Sequence, residues 1–266
     1  METLTVPFIV SVITATISGI FAALVLLRWR RVVRSGRKSP HLLAWGIGLT
    51  LYALGAFSQV VLALVWSETF FALWYWSGAL AVAPWLGQGS INLLVRRGNI
   101  ARNIQMALIL ICAMTLPWAL FLTPLDGSAW YPGVDVTTIL NDVMQRGGVR
   151  GFSPVMNIWG TVALVGGAIY SARLFRRKQI MPNRMIGNLF IAAGGLLPAL
   201  GGVAIRLEAP ELKYFGEMGG AILIFIGFLL ATNVPEDALQ RGAKRAPSEP
   251  NEASLQAQSS DGGAGV

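Results

Sequence analysis

Few side chains in the apolar stretches of this sequence carry a charge or a hydrogen-bonding group, so chemistry must reside in those few. Glu217 is the only carboxylate clearly inside an apolar run, about 8 Å from one end at roughly 1.5 Å per residue. An ionisable group in such surroundings is costly unless it is partnered or functional. Glu217 is therefore a candidate proton carrier or counter-ion for a cationic ligand; the structural alternative is an ion pair with Arg206 or Lys213. Gln88 and Asn92 are four residues apart and share a helix face just beyond Pro84, which lacks a backbone N–H. Tyr75 stands earlier in the same apolar run, and Gln59 and Asn157 stand in others. Together with Glu217, Gln88 and Asn92 they form the candidate set for an interior ligand or substrate site. Each amide has a second reading as a bond between neighbouring helices.

Other chemistries lack their residues. His41 is the single histidine and Cys112 the single cysteine. One histidine cannot supply a bis-histidine haem, a zinc triad or an H-E-x-x-H pair, and one cysteine cannot form an intrachain disulfide. No Gly-x-x-x-x-Gly-Lys-Ser/Thr loop is present. Neither an enzyme nor a bound cofactor or metal is expected.

The elements that must position these residues follow from composition. Apolar residues make up 54% of the 266 and charged residues only 13%, about half the share in a soluble domain. The charges cluster, leaving apolar runs of about twenty residues, each long enough to cross about 30 Å of hydrocarbon as a helix. Seven spans are predicted at about 6–27, 42–65, 70–95, 104–123, 154–174, 185–205 and 212–232. The first has its arginines after it rather than before it, as in an uncleaved helix rather than a signal peptide. With seven spans, seventeen of the 21 Lys and Arg residues fall on one side, and only Arg146, Arg150, Arg206 and Lys213 on the other. The positive-inside rule then puts the N-terminus outside and the C-terminus in the cytoplasm of a plasma-membrane protein. The net charge of +8 is assigned to cytoplasmic loops against anionic lipid, not to nucleic acid.

Outside the spans, Asp135 is placed to cap a short helix bearing Val136, Ile139, Leu140, Val143 and Met144, ended by Gly147. Residues 234–266 are rich in Pro, Ser, Gly, Gln and Glu and are expected to be a disordered cytoplasmic tail following a transmembrane domain of residues 1–233. Trp66, Trp74, Trp118 and Trp130 lie at span ends, as in an interfacial aromatic belt. Gly187, Gly194 and Gly201 form a small-residue stripe suited to helix packing.

Spans one to three resemble spans five to seven at an offset of 142 to 145 residues. Leu27-Arg28-Trp29-Arg30-Arg31 matches Ala172-Arg173-Leu174-Phe175-Arg176-Arg177, Pro40 corresponds to Pro182, and Ser77-Gly78-Ala79-Leu80 to Gly219-Gly220-Ala221-Ile222. The pattern predicts an all-α, seven-helix bundle with a 3+1+3 parallel repeat. This plan resembles that of SWEET sugar transporters and microbial rhodopsins, and the whole chain resembles uncharacterised bacterial seven-helix integral membrane proteins. The Pro-Gln pairs of PQ-loop proteins are absent, and Lys213 stands at the end of the last span, where a retinal lysine would be central. These likenesses are architectural and bring no activity; the parallel repeat and the polar third span point to a small-molecule transporter or permease, with its site at the interface of the repeats. The rival readings are a ligand-binding sensor acting through a partner, and an accessory scaffold binding protein through cytoplasmic loops.

Overall fold

The computed structural model describes residues 6–95, 98–178, 182–206 and 211–232. The chain divides into two compact units, Met1–Ala231 and Thr232–Val266, and the tail expected at 234–266 lies outside the described residues. The first unit is helical, with no strand among the described residues. Its helices are α1 (Val6–Arg34), α2 (Pro40–Leu62), α3 (Glu68–Trp74), α4 (Val82–Leu94), α5 (Ile100–Pro117), α6 (Leu140–Val143), α7 (Phe152–Lys178), α8 (Pro182–Arg206) and α9 (Glu211–Thr232). A π-helical segment, Tyr75–Ala81, joins α3 to α4, and a second, Trp118–Leu122, follows Pro117 at the end of α5.

Five stretches are long and apolar enough to cross a membrane: Phe8–Arg34, Pro40–Leu62, Ile100–Leu122, Gly148–Arg177 and Leu212–Leu230. They suit an integral membrane protein. The run from α3 to α4 is interrupted by its π segment, and the apolar part of α8 is the shorter Met185–Pro198.

Local chemistry sets the boundaries. Gly36, at φ +76°, ends α1. Its N–H reaches the Val33 carbonyl and that of Arg37 reaches the Val32 carbonyl, the paired bonds that close a helix on a left-handed glycine. Pro40 opens α2, where a missing N–H costs nothing. Ser67 caps α3 through the Phe70 N–H at 3.4 Å, with Glu68 in the first turn.

Six helices, α1, α2, α4, α7, α8 and α9, meet around one apolar core, with Phe21, Leu49, Leu86, Leu164, Ile191 and Phe228 turned inward. The gap at its centre is about 20 Å³, on the order of one water. Close backbone approach holds neighbours together. A Cβ on Gly160 would fall 2.3 Å from the Ala83 carbonyl carbon and 2.4 Å from the Pro84 nitrogen, so α7 lies directly on α4. On α8 and α9, Gly194 faces Gly220 and Gly187 faces Gly227, the packing use expected of this stripe. By contrast α5 rests mainly on α4 and the π segment, and buries only Leu108, Cys112 and Thr115.

The connection between α5 and α7 packs over one end of the bundle, here termed the loop end. Val134, Val136, Ile139, Val143, Met144 and Val149 are buried against Leu62, Phe71, Trp74 and Tyr75. The helix expected from Asp135 to Gly147 forms only at Leu140–Val143. Asp135 instead folds a turn, its Oδ1 accepting from the N–H and hydroxyl of Thr137. The apolar residues there do alternate at helical spacing, but they bury themselves on the bundle without a continuous helix. Trp130 Nε1 and Gly133 N–H donate to the Leu62 and Ala63 carbonyls, satisfying the open end of α2.

Replacing Gly160 by Ala is expected to lower the melting temperature in detergent by about 5 °C or more, because its Cβ meets backbone that cannot step aside. Gly166→Ala, on the same helix with nothing within 4 Å of the added carbon, is expected to leave the melting temperature unchanged or slightly raised.

Candidate functional site

At the loop end, α1, α2, α3 and α9 bring their polar side chains to one place. Lys213 Nζ lies 3.1 Å from Glu217 Oε1, the i,i+4 pair expected of adjacent turns, with side-chain exposures of 12% and 23%. Gln59, on α2, fixes the other side of the ammonium. Lys213 and Trp74 present only donors, so the Gln59 amide oxygen faces them, accepting from Lys213 Nζ at 3.0 Å and Trp74 Nε1 at 2.9 Å. Its NH₂ then donates to Ser11 Oγ on α1 at 3.1 Å. The Lys213 ammonium also lies 4.9 Å from the ring centroid of Tyr214 and 5.7 Å from that of Trp74, within cation–π range. Tyr52 reaches the same turn of α9, donating to the Glu217 carbonyl at 2.7 Å.

The loop is tied to this cluster. Tyr214 donates its hydroxyl to Asp135 Oδ1 at 2.6 Å. Beside Tyr214 a gap of about 10 Å³, bounded by Phe8, Ser11, Gln59 and Val136, has room for about one water. The Lys213 ammonium is thus enclosed by one carboxylate, one amide oxygen and two aromatic faces.

Comparison with protein-family models, curated proteins and solved structures yields no match. The geometry alone must carry the functional argument.

Of the six residues singled out in the sequence, Gln59 and Glu217 meet in this cluster. Lys213, the structural alternative offered for Glu217, is its partner. Tyr75 does not join them: its hydroxyl is 2.7 Å from Ser153 Oγ at the start of α7. Gln88 and Asn92 form a separate amide relay on α4. Gln88 Nε2 donates to Asn92 Oδ1 at 2.8 Å and to the Ala101 carbonyl at 2.9 Å, and Asn92 donates to Gln105 at 2.9 Å, tying α4 to α5. Gln88 Oε1 is buried without a partner.

Asn157 has a backbone task. In the π register the Val82 N–H reaches back five residues to the Ser77 carbonyl. Asn157 Nδ2, on α7, donates to the Ala79 carbonyl within that π segment at 2.5 Å.

The sequence reading missed Trp74, Ser11, Tyr214 and Asp135. Trp74 was expected in an interfacial belt but is buried, with its indole N–H turned inward. The i,i+4 spacing of Lys213 and Glu217 was a usable signal. The approach of Asp135, 79 residues from Tyr214, had none.

Gln59→Leu strips the acceptor from two buried donors and is expected to destabilise the protein by about 2 kcal/mol in thermal unfolding. Asn92→Ala leaves Gln88 its bond to Ala101 and should cost less than half as much.

Proposed function

We propose that this protein is a seven-span transporter or permease for a small solute, in a form closed at the loop end. The observation that carries the reading is the polar cluster itself. In an otherwise apolar bundle, Ser11, Gln59 and Trp74 from the first three-helix unit meet Lys213 and Glu217 from the last, so the cluster lies at the interface of the repeats, toward the loop end. Support comes from five stretches long and apolar enough to span a membrane and from α5, which rests mainly on α4 as a linking helix would. Gly55 packs against Gly78, and Pro198 against Gly220, equivalent contacts at an offset of 142 to 143 residues. In this reading the arginine-rich end is cytoplasmic, the loop end faces outward, and the protein resides in the plasma membrane.

A second reading is favoured by the tightness of the interior. Two gaps of about 10 and 20 Å³ hold about one water each, as in an accessory protein that stabilises a complex through its cytoplasmic loops.

Orientation is checked by thiol labelling in intact cells, where Cys112 is buried and gives little background. Ser128→Cys is expected to react with an impermeant maleimide from outside, and Ser35→Cys only after permeabilisation. The opposite result inverts the topology.

For activity, proteoliposomes are incubated with a cell metabolite extract and their contents read by mass spectrometry. At least one solute is expected to enter faster than into protein-free liposomes, and Gln59→Leu to slow it about tenfold, the effect of losing about 1.4 kcal/mol of binding. No solute above background, with protein partners co-purifying under gentle extraction, moves the assignment to the accessory role.

A further inference from the structure

A lysine near the end of a membrane helix ordinarily runs its ammonium out to water along its apolar stem. Lys213 does the reverse. Its side chain is only 12% exposed, and its ammonium is surrounded by the Glu217 carboxylate, the Gln59 amide oxygen and the faces of Trp74 and Tyr214. None of these groups is specific to lysine. A carboxylate, an oriented carbonyl oxygen and two aromatic faces are the general recognition elements for any ammonium carried on an alkyl stem.

The surroundings also select by charge. Asp135 is hydrogen-bonded to Tyr214, so the cluster holds two carboxylates, Asp135 and Glu217, and one ammonium. With Lys213 in place the balance is −1; with Lys213 withdrawn it is −2. An anionic solute is repelled in both states, and a neutral one leaves Glu217 uncompensated in apolar surroundings.

We propose that the cage of Trp74, Tyr214, Gln59 and Glu217 is an organic-ammonium site, occupied by Lys213 in the closed form and by a primary-amine substrate when Lys213 withdraws. The substrate assignment rests on the transporter reading; the cage as a binding site does not. Lys213 then acts as a tethered competitor. The Asp135–Tyr214 bond, made by the connection that covers the loop end, must yield for a substrate to enter beside it.

The test uses three isosteric probes: n-propylammonium, n-propanol and propionate. Lys213→Ala removes three methylenes and the ammonium, the volume of n-propylammonium. In thermal unfolding of the purified full-length variant, saturating n-propylammonium is expected to raise the melting temperature by about 3 °C or more. Propanol and propionate should not, and wild type should respond to none of the three. Adding Glu217→Gln to Lys213→Ala is expected to abolish the response. Should Lys213→Ala not fold, Lys213→Ser provides the same vacancy with a hydroxyl toward Gln59. Equal responses to the three probes, or no response to the amine in a folded variant, overturns the proposal.

Flux of the same probes into wild-type proteoliposomes is read separately. Uptake of the cation alone supports the substrate class. Uptake of propionate or propanol without the cation overturns that class and leaves the transporter reading intact. Absence of flux for all three probes alongside amine-specific stabilisation overturns the substrate class and retains the cage as an ammonium-binding site.

Discussion

Within an apolar bundle no solvent replaces a lost backbone hydrogen bond, so every interruption of a helix must be repaired by a neighbouring side chain. The chain between Trp74 and Leu94 meets this constraint most sharply. Pro84 withholds an N–H, the π segment at Tyr75–Ala81 shifts the register, and the Ala79 carbonyl within that segment accepts from Asn157 of α7. That bond is possible only because Gly160, one turn further along α7, lets the two backbones touch. The contact joins the run from α3 to α4 to α7, and the apolar core of six helices is assembled around it.

The same rule governs the loop end. The Leu62 and Ala63 carbonyls at the end of α2 are taken up by Trp130 and Gly133 of the long connection. Those bonds bring Val134 and Val136 onto the bundle and carry Asp135 to Tyr214. Repair of an open helix end thus also covers the cluster around Lys213. The polar groups of this protein then fall into two kinds. Asn157, Gln88 and Asn92 are used for joining helices. Lys213, Glu217, Gln59 and Trp74 converge on a single charged atom, an arrangement that helix packing alone does not require.

Much of this was legible in the sequence because it depends on short-range or compositional physics. Apolar runs of about twenty residues must become helices when no water is present to pair their backbone groups. The stripe at Gly187 and Gly194 is one helix face at one spacing, so its packing use could be read directly. The same period misled at 135–147, where apolar residues at helical spacing settle on the bundle through turns. Periodicity reports which side chains seek burial; the backbone path is set by where the bundle offers a place for them.

The sequence alone singled out Glu217 as a group that is costly unless partnered or functional, with Arg206 and Lys213 as the candidate partners. It also confined the candidate polar groups to a few positions in the spans. Only the tertiary structure decided which of them meet. Gln59 and Glu217 come together while Tyr75, Gln88, Asn92 and Asn157 do not, because helix rotation and close approach are fixed by packing across the whole bundle. Contacts such as Ser11 with Gln59, or Asp135 with Tyr214, join residues far apart in the chain. No local spacing encodes them, since they follow from the way helices of nearly uniform apolarity fit their surfaces together.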